Sequence, residues 1–592
     1  MKRLSEHLHW VSETCSVYLI EQEGRWLAID CGNRLSPAVA GPVPERLLLT
    51  HFHRDQCGAA PDWQRAGVEI VMPFAEKRLL EEGDLVRAAY DTYDNYTSYF
   101  PGAGPLEDIA GAYAHDYETL SWAGIDFEVV PLPGHTFGSV GYLFELDGKR
   151  LLACGDLMCA PAKLREYFWS QWQYMEFKGH ANLLESLRAA EGLGIDLILP
   201  GHGEPFAVDA AAFERLRAPL EEIWMLFHNQ PYEYYEPVFR ELSEHVFEVT
   251  NSGANTYIVR DDEGHGLLID SGYTSKAAIN ANPHRHIDHL TPHLEKKLGV
   301  REVEWFLPSH YHDDHLAGLP VLQLRYGTKV ATSPELREIL EHPDRFDMPC
   351  LVPRGTNVEA VVERGEAFHW RGIDFRIEQH PGQTLYHHLI DFEIDGQCFL
   401  SIGDNVSGAS FSAGREFIHS FIPKNRTPVS SYRDMPRQIA ERDPDWLLTG
   451  HLGARRCDRG ETERWQQWMD RWTELFTEII DQPTPDLGMD PHWVEFSPYK
   501  VHVDAGQEVA FEVRVKNHEG QAGIAQLQFR ASGGAEVAPG EVGLELEAGA
   551  SGSVGLRVKM PDSFTTHCVT IVADVIWNQR HLGETAEAIA FW

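Results

Sequence analysis

The chain has 592 residues, too many for one compact core, and ordinary domain sizes predict about three domains. Its 51 Lys and Arg against 90 Asp and Glu give a formal net charge of −39, which argues against a nuclease or a DNA-wrapping protein while leaving room for a local basic pocket. A hydrophobic content of 43% and an aromatic content of 11% fit a folded globular chain and argue against disorder.

The chain opens with short apolar runs, Cys15–Ile20 and Trp26–Ile29, bounded by polar residues and glycine as strands are. A third run, Leu47–Leu49, leads directly into histidines at 51 and 53. Residues 73–92 and 179–191 have helical spacing, and strands interleaved with helices predict an α/β architecture. The layout then recurs: Thr256–Val259, Leu267–Ile269 and Trp305–Leu307 match the first three strands. Gly134–Asp156 aligns without gaps on Gly382–Asp404, with nine of 23 positions identical at a constant offset of 248. An internal duplication follows, each copy large enough to be a domain. Helical patterns over 211–229 and 460–481 are followed by Pro231 and by Gln482-Pro483-Thr484-Pro485, which read as linkers. Beyond the second, alternating runs such as Phe511–Val515 and Val569–Ile576, with Gly-rich turns, predict a small all-β sandwich of immunoglobulin-like type. The expected domains are therefore 1–232, 233–482 and 483–592, the last an interaction or dimer-stabilising module.

No apolar run is long enough to span a bilayer, and the charged start, Met1–His9, lacks the apolar core of a secretory signal. Nine cysteines without a CxxC pair suggest reduced thiols and a cytoplasmic setting.

The chemistry is sought among the 30 histidines. Thr50-His51-Phe52-His53-Arg54-Asp55-Gln56 directly follows an apolar strand. In extended backbone residues i and i+2 point the same way, so His51 and His53 can approach one metal, while Asp55 and Gln56 can face a second just beyond. Ser309-His310-Tyr311-His312-Asp313-Asp314-His315 repeats the pattern in the same context. Imidazole and carboxylate at this spacing are the donors expected for zinc, or for non-haem iron or manganese.

These motifs resemble the metallo-β-lactamase superfamily, whose signature is HxHxDH, a later His, a bridging Asp and a final His. Pro200-Gly201-His202-Gly203-Glu204-Pro205 resembles its glyoxalase II-like branch most. The resemblance covers most of residues 1–480 as two copies and leaves the last 110 or so residues uncovered. It implies two tandem αββα sandwiches with the metal site at one edge of the sheets, and structural aspartates at Asp30 and Asp270. It further implies that His51, His53 and His135 hold a first metal, and that Asp55, Gln56 and His202 face a second with Asp156 bridging. In the second copy His310 and His312 fall at the first metal, Asp314, His315 and His451 at the second, and Asp404 bridges. The cofactor implied is Zn2+, one or two per copy, with Fe or Mn as alternatives.

Each copy departs from the signature in a different half. Gln56 stands where the family has His, and Gln383 stands at the position of His135. A neutral amide is a weaker ligand than imidazole, so the first copy is expected to favour its three-histidine half and the second copy to keep Asp314, His315 and His451. His380, His387 and His388 are near enough in sequence to compensate for Gln383, although the gapless alignment puts none of them in its place. Cys57, beside Gln56, is a candidate substitute ligand.

A bound cation brings the pKa of its water from about 15.7 toward 7, and the hydroxide attacks a carbonyl or similar electrophile. Asp55, and Asp314 in the second copy, would orient the nucleophile and carry a proton to the leaving group. The leading expectation is a hydrolase of a small ester, thioester, lactone or amide. The alternatives are an iron-dependent oxidoreductase or dioxygenase, one catalytic copy beside a degenerate structural one, and a scaffold in which both sites have decayed. Tyr90, Tyr93, Tyr96, Tyr99 and Phe100, and Tyr167, Phe168, Trp169, Trp172 and Tyr174, are either a pocket rim for an apolar or ring-bearing substrate or packing residues. Lys163 and Arg165 are candidates for an anionic group, although isolated basic residues are more often solvated. The expected partner is a small-molecule substrate, with no nucleic acid and no membrane. The two copies are expected to pack as an internal pseudo-dimer, and a homo-oligomer is left open.

Overall fold

The structure, a computed structural model, describes every residue except 36–40, 82–112, 160–161, 171, 173–176, 210, 275–284, 407–419, 481, 483, 491–492 and 566–567. It is a mixed α/β fold with six sheets among the described residues. The chain divides into two compact units, Met1–Glu236 with Thr274–Leu290, and Pro237–Tyr273 with Thr291–Trp592.

In the first unit a seven-stranded sheet runs in chain order from Lys2–Arg3 to Tyr113–Ala114. A six-stranded sheet runs in reverse order from Phe206–Ala207 to Thr119–Trp122. The two-residue period of a strand sorts its side chains between two cores. In Ser16–Gln22, Val17 and Leu19 join Cys57, Ala60 and Trp63 on one face. Tyr18 and Ile20 meet Phe127, Tyr142 and Phe144 on the other. In the second sheet Leu143 and Leu152 face Leu184, Leu187 and Leu220 of the helices Lys178–Glu191 and Ala212–His228. These strands are buried on both faces, which explains why they read as continuous apolar runs.

The second unit repeats a seven-stranded sheet from Phe239–Glu241 to Ala360–Val361 and a six-stranded sheet from Phe368–Trp370 to Arg455–Arg456. Tyr257, Leu267, Phe375 and Phe392 fill the space between them. Helices Val429–Arg442 and Arg459–Ile479 cover the outer face through Tyr432, Met435, Trp465 and Met469. The last hundred residues form a four-stranded and a five-stranded sheet around one core that includes Phe496, Phe511, Phe529, Ile571 and Trp577.

One local feature aims the acidic groups. Lys149–Gly155 pairs in parallel with Leu197–Pro200, and the register shifts between Ala153 and Gly155. Gln397–Gly403 shows the same shift against Trp446–Thr449. Such a bulge turns the next residue out of the ladder, here Asp156 and Asp404. Gly155 has φ +51° and Gly403 φ +43°, and a Cβ on Gly403 would lie 2.5 Å from the His387 ring, so both positions require glycine.

The expected helix over 73–92 is corrected at its start. Glu69–Pro73 is a strand paired with Tyr113 and Ala114, and the α-helix begins only at Lys77. Among the described residues no helix is long and apolar enough to cross a membrane. None of the nine cysteines forms a disulfide in the structure.

Candidate metal centres

The strand Arg46–Leu48 delivers Thr50 to Asp30, whose carboxylate accepts from the Thr50 N–H and hydroxyl at 2.9 Å each. Thr50 Oγ1 in turn lies 3.1 Å from His51 Nδ1 and fixes that ring. His53 is extended (φ −60°, ψ 137°) at the start of the short helix Arg54–Cys57. Its ring centroid is 4.9 Å from that of His51, and His135 lies 5.1 and 4.7 Å from the two. The three imidazoles are buried, with one nitrogen of each inside a common 4.8 Å span. Burial lowers all three, His51 furthest and His53 to about 3, so they present neutral lone pairs.

Asp156 joins this group. Its Oδ2 lies 3.3 Å from His135 Nε2 and 3.9 Å from His51 Nε2, and its Oδ1 lies 2.8 Å from His202 Nδ1. Burial would raise this carboxyl, but His135, His202 and His51 together hold it well below the usual carboxylate range. Asp55 Oδ2 lies 3.2 Å from His202 Nε2. Burial opposes protonation of His202, yet hydrogen bonds with Asp156 and Asp55 raise it to about 9. Gln56, fully buried, donates its amide N–H to Asp156 Oδ1 at 3.3 Å.

The second centre is built alike with a different balance. Asp270 accepts from the Ser309 N–H at 2.7 Å and its hydroxyl at 2.6 Å, and lies 3.0 Å from His315 Nδ1. Asp314, His315, Asp404 and His451 form one candidate ligand group, and His310, His312 and Asp404 form another. His315 Nε2 is 3.1 Å from Asp404 Oδ1, and His451 Nε2 is 3.1 Å from Asp404 Oδ2 and 3.4 Å from Asp314 Oδ2. Burial works against protonated His451, but Asp314 and Asp404 raise it to about 10. Gln383 donates its amide N–H to Asp404 Oδ2 at 3.0 Å.

Two candidate substitutes fall away. Cys57 is packed with Trp63 and Leu80, and its thiol donates to the Phe52 carbonyl at 3.2 Å. His388 Nε2 pairs with Ser333 Oγ at 2.7 Å. His387 stacks on the His310 ring, centroids 5.3 Å apart, with its Nε2 against the backbone of Gly403.

Of the aromatic residues, Trp169 lies over His53 with centroids 4.6 Å apart, and Phe168 beside it is 67% exposed. Tyr167 bonds His180 Nδ1 at 2.6 Å. Tyr90, Tyr93, Tyr96, Tyr99, Phe100 and Tyr174 lie outside the described residues. Arg165 pairs with Glu166 at the surface.

Sequence reasoning passed over Glu76. It is fully buried and accepts from the Phe52 N–H at 2.6 Å, the Gly138 N–H at 3.2 Å and the Thr136 hydroxyl. It thereby ties the loop of His51 and His53 to the loop of His135. An acid three residues past an apolar strand was its only signal in sequence.

The family model of the metallo-beta-lactamase superfamily matches residues 12–202 and again 249–451, together more than half of the chain. The chain belongs to the metallo-beta-lactamase superfamily. Hydroxyacylglutathione hydrolase of Aeromonas salmonicida (strain A449) is 28% identical over 152 residues, covering 24% of this chain and 46% of that protein. Lactamase-like protein vrtG of Penicillium aethiopicum is 29% identical over 162 residues, covering 27% of this chain and 42% of that protein. The matches thus span less than half the length of these curated relatives. Among solved structures, a metallo-beta-lactamase family protein of Thermus thermophilus has a TM-score of 0.32 and 20% identity, over 38% of this chain and 85% of that one.

Metallo-beta-lactamase superfamily proteins typically bind metal ions, often zinc, and the donors here fit such an ion. His51, His310 and His312 each keep a buried Nε2 without a hydrogen-bond partner among the described residues. A buried nitrogen left unpaired is costly unless it serves as a ligand.

Proposed function

We propose that this chain is a metal-dependent hydrolase of a small ester, thioester, lactone or amide. It comprises two tandem αββα domains, 1–232 and 233–482, and an immunoglobulin-like β-sandwich, 483–592. The observation that carries the reading is the gathering of imidazoles and an aspartate from distant segments, twice in one chain. His51, His53 and His135 with Asp156, and Asp314, His315 and His451 with Asp404, would hold the ions. A divalent cation, zinc in the first instance, would supply Lewis acidity, lowering the pKa of water from about 15.7 toward 7 and polarising the electrophile.

The rest is the work of side chains. Asp55, part-buried beside His202, takes the proton as the water oxygen bonds to the carbonyl carbon. It returns that proton to the oxygen, sulfur or nitrogen that leaves when the acyl bond breaks. Asp314, 3.4 Å from His451, has the same place in the second domain. Trp169 over His53 gives the first site an apolar wall suited to a ring-bearing or alkyl acyl group.

The test is turnover of a panel of small esters, lactones and thioesters, a hydroxyacylglutathione among them, by protein loaded with zinc, manganese or iron. Release of acid from one class, lost on chelation and restored by metal, supports the reading. Three imidazoles around one point also suit iron, so oxygen consumption without hydrolysis would favour an oxidoreductase instead.

A further inference from the structure

The two glutamines that break the ligand signature do more than leave a gap. Gln56 donates its amide N–H to Asp156 Oδ1, and Gln383 donates its own to Asp404 Oδ2. In each case the amide nitrogen points at the bridging carboxylate from the side where the signature has imidazole. An amide nitrogen has no lone pair to offer a cation, but its N–H satisfies the carboxylate oxygen that a second cation would otherwise neutralise.

The backbone of each glutamine is held in place. Gln56 is fully buried, with its backbone N–H on the His53 carbonyl at 2.9 Å and its own carbonyl accepting from Cys31 and Gly32 at 3.0 Å each. Gln383 is 6% exposed, and its backbone N–H is held by Asn405 Oδ1 at 2.8 Å. Turning either amide over would set its oxygen against a carboxylate oxygen 3.3 or 3.0 Å away.

The consequence differs between the two centres. Around Asp156 the three-imidazole side is complete, and the amide fills the side of Asp55 and His202. Around Asp404 the side of Asp314, His315 and His451 is complete, and Gln383 stands at the signature position that would complete the side of His310 and His312. We propose that the glutamine amides act as built-in stand-ins for a cation, so that each domain binds a single metal ion and the two domains bind it in opposite halves of the ancestral two-metal site. The inference rests on the metal-binding part of the proposed function and is independent of which substrate, if any, is turned over.

Metal content of purified full-length protein, loaded with zinc and freed of excess by desalting, tests this without an activity assay. The wild type should retain about two equivalents per chain. His53→Ala and His451→Ala should each remove about one of these, and from different sites. Gln56→His and Gln383→His should each restore the missing half-site and raise the content to about three, and the double variant to about four. Gln56→Leu and Gln383→Leu, or Met at either position where Leu fails to fold, should leave the content at about two. Four equivalents in the wild type would overturn the proposal. So would loss of metal from a Leu or Met variant, which would make the amide a ligand, and so would His variants that gain none. Two equivalents with no hydrolysis of any ester would sink the function and leave this inference standing.

Discussion

The indole of Trp169 tilts by 54° over the imidazole of His53, with its Nε1 tethered to Glu166 Oε2 at 2.8 Å. A half-buried tryptophan beside a candidate ligand contributes apolar contact area to whatever occupies the site. An aromatic contact of this kind is worth about 0.5–1.5 kcal/mol, or roughly 2- to 12-fold in binding. Trp169→Ala should therefore raise KM by roughly that factor for aryl or long-acyl substrates and change kcat little. Acetyl esters should be almost unaffected. Equal losses for small and large acyl groups would remove Trp169 from substrate contact.

His53 forms one candidate ligand group with His51 and His135, so His53→Ala should empty the first centre. Bound metal should fall by about one equivalent and turnover by that domain by more than ~100-fold, with the second centre unchanged. Full metal content and full turnover in this variant would contradict the assignment of the first centre.

What could be read in advance followed periodicity. His51 and His53 lie two residues apart past a strand, so their proximity followed from the direction of side chains in extended backbone. The strands Ser16–Gln22 and Arg25–Ile29 were legible as apolar runs, and the alternation of Glu508–Lys516 showed one buried face. The offset of 248 placed Asp404 by analogy with Asp156, and both stand just after a register shift. Glu76 was invisible because its partners are two backbone N–H groups and a hydroxyl, and backbone donors leave no trace in sequence. The direction of the two glutamine amides was hidden for a related reason. Residue type gives both a donor and an acceptor, and only the position of Asp156 and Asp404 decides which faces inward. The helix expected from residue 73 started late because Met72 and Pro73 are claimed by a sheet partner about forty residues away.

Glu76 offers a stability measurement that separates its charge from its contacts. Removing the carboxylate strands the Phe52 and Gly138 donors, so Glu76→Ala should destabilise the first unit by about 2–3 kcal/mol, read as a lower denaturant midpoint. Burial raises this carboxyl to about 7 despite the hydrogen bonds it accepts. A raised folded pKa favours the protonated form, so its contribution is full below the ordinary value of 4.5 and fades as pH rises through about 7. The stability of the wild type relative to Glu76→Gln should therefore fall between those values. A difference that grows with pH would show that the carboxylate is better accommodated ionised.

Two exposed pairs predict a second pH response. His7 takes the Asp147 carboxylate through its backbone N–H at 3.0 Å and its ring Nδ1, and His245 takes Asp395 in the same way, at 3.0 Å and 2.7 Å. Both aspartates sit in left-handed turns, φ 51° and 54°, a conformation that Asn also tolerates. The hydrogen bond to its aspartate is the main cause that raises each histidine. Each aspartate is lowered, against burial, by its serine and histidine partners. The histidine contribution is complete below the unfolded value of 6.5 and is lost as pH rises through the raised folded value. The aspartate contribution is complete above 3.8 and is lost as pH falls through the lowered one. Each clamp therefore works best between these limits. Melting temperature should decline from pH about 6 to about 8 in the wild type, and the decline should be smaller in Asp147→Asn, Asp395→Asn and most of all the double variant. The same slope in all four proteins would mean that the pairs form equally well with neutral histidine.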